Sequence, residues 1–183
     1  MKKDSHIDTE LVIAYQAGDQ KAMAKLVQRW HLIYCKKAYW LVKDTSLSKD
    51  IAQDCWQTIM DKLHTLQNPS SFKSWSLRIV YSKSLDALRE RSRKHSKETE
   101  FDKSHLSFVE DDKENIDLKA SLLKAIKRLP EQQQIVLRLF YTEDYSLKEI
   151  SELLSISVGT TKSRLFHARE KLKLILKPII GKT

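Results

Sequence analysis

The chain has 183 residues and is strongly basic, with 33 lysines and arginines against 24 acidic residues and a formal net charge of +9. This charge favours a polyanionic partner, and nucleic acid comes before a membrane because no apolar run reaches bilayer length. Three glycines and three prolines leave few helix breakers, which predicts a mostly helical chain without membrane insertion.

The first two predicted helices lie in residues 7–42. Residues 7–17 form a short helix with Asp8 or Thr9 near its start, and Gly18 ends it. Asp19 is placed to cap the next helix. No apolar signal-peptide core precedes the first helix, so we expect a cytoplasmic protein. The second helix carries an apolar stripe typical of a core: Met23, Leu26, Val27, Trp30, Ile33, Tyr34, Ala38 and Leu41.

A polar turn at residues 44–49 precedes the third predicted helix, which has two unlike sides. The apolar side consists of Ile51, Cys55, Ile59 and Leu63. The other side consists of Asp50, Gln53, Asp54 and Gln57. An acidic and amide face is unexpected in a basic protein, although the spacing alone favours a solvated surface.

Cys35 and Cys55 each lie within a helical pattern. The sequence has no CxxC motif. We therefore predict no disulfide, no metal site and no cofactor.

After a break at residues 68–70, the fourth predicted helix mixes aromatic residues with cations. Trp75, Ile79 and Leu88 are predicted to face the core. Only Asp86 and Glu90 oppose a run of eight cations, a density that suits a phosphate backbone. Interleaved aromatics also suit single strands, because bases stack on rings, although we favour a core position for Trp75. The eight cations are Lys73, Arg78, Lys83, Arg89, Arg91, Arg93, Lys94 and Lys97.

Residues 98–117 reverse the charge, with eight acids against Lys103 and Lys113 and no helical stripe. Such a block between periodic segments predicts a flexible linker that divides the chain into two domains. A helix at 118–129 follows and ends at Pro130. Pro130 also suits the first turn of the next helix, whose Ile135, Leu139 and Phe140 are predicted to be core residues.

Residues 144–172 predict a helix-turn-helix. Ser146 and Glu149 have capping-box spacing at the start of its first helix, and Ser157 is a plausible cap of the second. The second helix buries Thr161, Leu165, Ala168 and Leu172. Its opposite side presents Lys162, Ser163, Phe166 and His167, with Arg164 and Arg169 at the flanks. Such a helix can enter a major groove, and a helical hairpin with a solvated basic face is the alternative. The final residues, 174–183, have no clear assignment.

These pieces, in this order, resemble the extracytoplasmic-function (ECF) group of bacterial sigma factors, the dissociable promoter-recognition subunits of RNA polymerase. The resemblance covers nearly the whole chain and implies an all-α protein of two helical domains, 1–97 and 118–183, joined by the acidic linker 98–117. The motifs that carry it are Gly18-Asp19, Asp50-Ile51-Ala52-Gln53-Asp54, Trp75 with Arg78-Ile79, Asp86 with Leu88-Arg89, Leu129-Pro130, and residues 159–165, GTTKSRL.

The resemblance implies a task for each surface. Asp50, Gln53 and Asp54 would dock on core RNA polymerase. The fourth helix would melt the minus-ten element and hold it as a single strand, and the last helix would enter the major groove of the minus-thirty-five element. The DNA-binding residues implied are Arg78, Ser82, Lys83, Arg89, Lys162, Ser163, Arg164, Phe166 and His167.

The sequence departs from the family's pattern at two places, and the family allows one further partner. Tyr81-Ser82 stands where the family commonly has Arg-Asn, which leaves base choice at that position open. His167 stands where an arginine is frequent, so one contact is expected to be weaker or dependent on pH. An anti-sigma factor is a further partner that the family allows.

Three other functions are weighed against this one. A stand-alone, dimeric helix-turn-helix regulator would bind two half-sites about one helical turn apart, whereas a sigma factor reads two unlike elements with one copy. An enzyme is disfavoured because no Gly-rich phosphate loop, HExxH motif or nucleophile constellation is present. A helical adaptor that never touches DNA leaves the basic fourth helix unexplained.

Overall fold

The computed structural model describes the backbone of residues 2–95 and 116–180 and the side chains of residues 6–93 and 120–177. Within these ranges the chain is all-helical, which confirms the predicted fold class. Two 3₁₀ turns, Leu63–Thr65 and Pro69–Ser71, join the third and fourth helices. The helices are α1 (Lys2–Gln16), α2 (Gln20–Val42), α3 (Thr45–Lys62), α4 (Phe72–His95), α5 (Ile116–Lys127), α6 (Glu131–Tyr141), α7 (Leu147–Leu154) and α8 (Val158–Ile180).

The chain divides into two compact units, Met1–Ser104 and His105–Thr183. Most of the acidic segment predicted as a linker, residues 98–115, lies outside the described residues, and its last two residues begin α5. No helix in the described ranges is long and apolar enough to cross a membrane.

The first unit packs α1 to α4 around a cluster of aromatic rings. The ring of Tyr34 lies 4.9 Å from that of Trp56, and Trp30 lies 5.9 Å from both Tyr34 and Phe72, measured between centroids. Each large ring buries about 150–250 Å² of surface, so this cluster is a main source of the unit's hydrophobic stabilisation. The rings come from α2, α3 and α4 and therefore fix these three helices against one another.

The start of α1 differs from the prediction, whereas its end agrees. The helix begins at Lys2, and Asp8 lies in its middle with only 5% of its surface exposed. In this mid-helix position Asp8 cannot cap α1, and its carboxylate instead accepts a hydrogen bond from Arg29 of α2. Gly18 ends the helix with a φ of +104°, a conformation that favours glycine. Asp19 caps α2 by accepting a hydrogen bond from the Lys21 N–H at 2.9 Å.

The polar turn predicted at residues 44–49 is wrong, because most of it forms the first turn of α3. Asp44 caps this helix by accepting from the Leu47 N–H at 3.0 Å. Ser48 is buried, and its hydroxyl donates to the Thr45 carbonyl. Asp, Ser and Thr are common both in turns and at the N-terminus of a helix, so the sequence of this segment fits either structure.

The buried side of α4 also differs from the prediction. Trp75, Ile79 and Leu88 are only half-buried. The side that faces the core includes two serines, and the hydroxyl of Ser84 donates to the Val80 carbonyl at 2.7 Å. Because polar residues occupy core positions, the apolar pattern alone misplaced the face. The buried residues of α4 are Phe72, Ser76, Leu77, Val80, Tyr81, Ser84 and Leu85.

The second unit packs α5, α6 and α7 around α8. Ile135 and Leu139 of α6 are buried, as predicted, and Phe140 is half-buried. Pro130 stands immediately before α6 as its cap residue. Helix α8 continues to Ile180, so residues 174–180 of the unassigned end of the chain extend this helix.

Candidate nucleic-acid interface

The first helix of the predicted helix-turn-helix begins with the expected capping box. The Ser146 N–H donates to Glu149 Oε2 at 2.8 Å, and the Glu149 N–H donates to Ser146 Oγ at 3.3 Å. Ile150 and Leu153 are buried beneath it. Ser155 ends α7 in the left-handed conformation, with a φ of 55°, and turns the chain toward α8. The geometry confirms the capping-box prediction.

Helix α8 begins at the predicted cap. Ser157 Oγ accepts a hydrogen bond from the Thr160 N–H at 3.0 Å. Thr161 is fully buried, and its hydroxyl donates to the Ser157 carbonyl. Leu165 and Ala168 follow on the same buried side. This packing fixes which side of α8 faces away from the unit.

The outward side of α8 collects four of the predicted DNA-binding residues. Lys162, Ser163, Phe166 and His167 are all exposed. The Phe166 ring is 58% exposed and meets the His167 ring edge-on, 5.5 Å between centroids. Arg164 is half-buried and lies at the edge of this side, as predicted. The result is a helix surface with donors, acceptors and one apolar ring.

Arg169 is held by contacts that the sequence analysis did not anticipate. Its guanidinium carbon lies 5.7 Å from the Phe140 ring centroid and 5.3 Å from that of Tyr141. Guanidinium groups are attracted to aromatic faces at such distances. The adjacent aromatic residues Phe140 and Tyr141 are visible in the sequence. That Arg169 of α8 packs on them is seen only in the folded structure.

On α4, the structure groups three of the four predicted DNA-binding residues. Arg78, Ser82 and Arg89 are separated by four and seven residues, so they lie in one row along the outside of the helix. Arg89 Nη1 also contacts Asp86 Oδ1 at 2.7 Å. These residues form the α4 row, defined as Arg78, Ser82 and Arg89.

Lys83 lies apart from the α4 row. It follows Ser82 by roughly 100° around the helix and is half-buried. Burial raises the pKa of the Cys55 thiol of α3 to about 12, and the nearby Lys83 charge opposes part of that shift. Lys83 is therefore near enough to α3 for its charge to act on Cys55.

The predicted acidic surface lies on α3. Asp50, Gln53 and Asp54 are exposed, as is Gln57 one turn further on. Ile51, Cys55 and Ile59 are at most 5% exposed. The core of the unit therefore uses one side of α3 and leaves the acidic side to solvent.

Comparison with known proteins shows the family of the chain. The Sigma-70 region 2 profile matches residues 26–94, and the Sigma-70 region 4 profile matches residues 119–172. The ECF RNA polymerase sigma factor SigM of Mycobacterium tuberculosis is 29% identical, over 92% of this chain and 84% of its own. The RNA polymerase sigma-H factor of Pseudomonas aeruginosa is 26% identical, over 94% of this chain and 95% of its own.

A solved structure shares the fold. It is the sigma factor RpoE in complex with the anti-sigma factor NepR from Bartonella quintana, which is 20% identical with a TM-score of 0.61. The match covers 86% of this chain and 98% of that one. The chain is thus an all-helical transcription factor, and it belongs to the ECF group of the sigma-70 family of RNA polymerase sigma factors. A stand-alone operator-binding regulator is not favoured.

Proposed function

We propose that this chain binds core RNA polymerase in the cytoplasm and directs promoter-specific initiation through three surfaces, while catalysing no reaction itself. The observation that carries this proposal is the separation of charge by helix. The exposed side of α3 carries Asp50 and Asp54, whereas the outward sides of α4 and α8 carry cations. A single DNA-binding surface would have no use for the acidic side, because carboxylates repel phosphates.

The acidic side of α3 is the proposed polymerase contact. Asp50, Gln53 and Asp54 offer carboxylate and amide groups on a rigid helix whose other side is locked in the core. Complementary charge speeds association and fixes the register of two docking surfaces. We therefore expect a basic partner surface on the polymerase.

The α4 row is the proposed contact for the melted minus-ten strand. Arg78 and Arg89 would bind phosphates, and the Ser82 hydroxyl would bind a base edge or a phosphate. The Arg89–Asp86 pair is partly exposed, at 39% and 64% of the two side chains. Exposed pairs of this kind contribute about 0–1 kcal/mol, so a phosphate can displace Asp86. Lys83 is proposed as a further DNA-binding residue at the edge of this surface.

The outward side of α8 is the proposed contact for the duplex minus-thirty-five element. Lys162, Ser163 and His167 supply the hydrogen-bonding groups that distinguish base pairs in the major groove. The exposed Phe166 ring suits the methyl group of thymine, the apolar feature of that groove. Arg164, at the edge of this side, suits a phosphate.

An anti-sigma factor is a further proposed partner. The structural neighbour from Bartonella quintana is a sigma factor in complex with such a protein.

The proposal is tested by replacing Asp50 and Asp54 together with alanine. Both residues are exposed, and such changes usually alter the free energy of unfolding by about 0.5 kcal/mol or less. We expect promoter-specific run-off transcription with core polymerase to be abolished. The weak DNA affinity of the free protein should stay the same or rise slightly, because two phosphate-repelling charges are gone.

The matched control replaces Glu10 and Glu152 with alanine, which removes two charges from exposed positions outside the three surfaces. This variant should transcribe like the wild type. The sigma assignment is wrong if the free wild-type protein footprints a palindrome tightly without polymerase and the Asp50/Asp54 variant does the same.

A further inference from the structure

Helix α1 lies before the residues that the Sigma-70 region 2 profile matches, yet it is firmly anchored in the first unit. Val12 is fully buried. The Asp8 carboxylate, 5% exposed, accepts a hydrogen bond from Arg29 Nε of α2 at 2.8 Å. Since α2 packs against both α3 and α4, α1 has a fixed position relative to these two helices.

The last residue of α1, Gln16, reaches across to the segment that connects α3 with α4. Its Nε2 donates to the Leu63 carbonyl at 2.8 Å and to the Leu66 carbonyl at 2.9 Å. A side-chain amide has two N–H donors, so both are used. Gly18 ends α1 two residues later. Gln16 therefore stands at the end of α1 that lies beside the segment between α3 and α4.

The connection, residues 63–71, packs against α1 and buries Leu63, but its other hydrogen bonds are local. The Leu66 N–H bonds back to the Leu63 carbonyl, and Asn68 accepts from the Ser70 N–H at 3.1 Å, both local contacts. Gln16 is bonded to it from 47 and 50 residues away. These two long-range bonds add to that packing in fixing the connection in space, whereas the local bonds fix only its own shape.

The connection leads directly into α4. Phe72, the first residue of α4, is fully buried, and Arg78 follows less than two turns later. Buried Leu63 and Phe72 anchor the two ends of the connection, so the Gln16 bonds set its path between them. A change in that path acts on the first turn of α4 and thereby on the Arg78 end of the α4 row. Side chains that recognise a ligand must be held within about 0.5 Å of their working geometry.

We propose that Gln16 is a positioning residue for promoter melting, which holds the start of α4 so that Arg78 and Ser82 meet the unpaired strand together. This inference rests on the proposed function of the α4 row. It also gives α1 a function. This helix lies before residues 26–94 and supplies the side chain that bonds to the connection.

The test uses Gln16→Glu and Gln16→Ala in the full chain, assembled with core polymerase. Glutamate keeps the size of the side chain but replaces the amide nitrogen and its two N–H donors by a carboxylate oxygen that repels the two carbonyls. The control Gln28→Glu makes the same charge change at an exposed position of α2. The probe is a fluorescent single strand carrying the minus-ten element of a promoter that the wild-type holoenzyme transcribes. Assembly with core polymerase and the midpoint of thermal unfolding are measured in parallel.

We expect both Gln16 variants to bind the single strand about five- to tenfold more weakly. This is the change in the dissociation constant that corresponds to the loss of one or two net hydrogen bonds. Assembly with polymerase should change less than twofold, and Gln28→Glu should match the wild type. The inference is overturned if strand affinity is unchanged, or if strand affinity and assembly fall together, which would indicate loss of folded protein. If the wild-type holoenzyme does not bind the strand at all, the proposed role of α4 fails instead.

Discussion

Lys162 and Arg164 are two residues apart on α8, but the helix gives them different surroundings. Lys162 is exposed on the outward side, whereas Arg164 is half-buried at its edge. We expect Lys162→Ala to cost roughly 1–3 kcal/mol of DNA-binding free energy and to relax preference at one or two base pairs. Arg164→Ala should weaken binding to all sequences alike, because a phosphate contact carries no sequence information.

Binding-site selection with each variant in the holoenzyme measures this difference. If both variants select the wild-type consensus, Lys162 does not read a base. If Arg164→Ala changes the consensus, Arg164 contacts a base and not a phosphate.

At the residue scale, the sequence predicts exposure well where polar and apolar positions alternate clearly. The exposed Asp50, Gln53 and Asp54 follow from their spacing relative to buried Ile51 and Cys55. The same reasoning misjudged α4, because buried serines break the apolar pattern. Contacts between distant residues, such as Gln16 with the Leu63 carbonyl, leave no signal in one sequence.

Among the individual helices, α7 depends most clearly on its capping box. Helix α7 has only eight residues, so its intrinsic stability is low and its first turn contributes a large share. We expect Ser146→Ala to lower the free energy of unfolding of the second unit by about 0.5–2 kcal/mol. Urea unfolding followed by circular dichroism would measure this loss.

The exposed Ser163 of α8 is the control, because Ser163→Ala removes a hydroxyl that caps nothing. This variant should remain within about 0.5 kcal/mol of the wild type. Equal losses in the two variants would show that the cap contributes nothing specific to α7.

Element boundaries follow from the sequence only where the capping residues are unambiguous. The starts of α2 at Asp19 and of α7 at Ser146 were predicted correctly. The start of α3 was missed because Asp44 and Ser48 suit both a turn and a helix N-terminus. The end of α8 was left unassigned because Lys173, Lys177 and Pro178 interrupt the apolar pattern without ending the helix.

The whole molecule consists of two units, each with its own buried core. The ring cluster of Trp30, Tyr34 and Trp56 belongs to the first unit, and buried Leu139 and Ile150 belong to the second. We propose that the acidic residues 98–117 link them, as their composition predicts. Cleavage within this segment should therefore leave two folded fragments.

Limited digestion with trypsin tests the proposed linker, which contains Lys103 and Lys113. We expect early cleavage at one of them and two fragments that each unfold cooperatively on heating. Mass spectrometry identifies the cut, and circular dichroism follows the unfolding. Resistance at both lysines, or a fragment without helical signal, would argue for one domain.

The Arg89–Asp86 ion pair has a consequence for how strand binding responds to salt. A cation that binds DNA normally releases a condensed counterion from the phosphate, and each released ion adds to the salt dependence. When a phosphate takes the place of Asp86, the freed carboxylate gathers cations of its own from solution. The two ionic exchanges partly offset each other, so binding through Arg89 is less sensitive to ionic strength than the cation count of α4 implies.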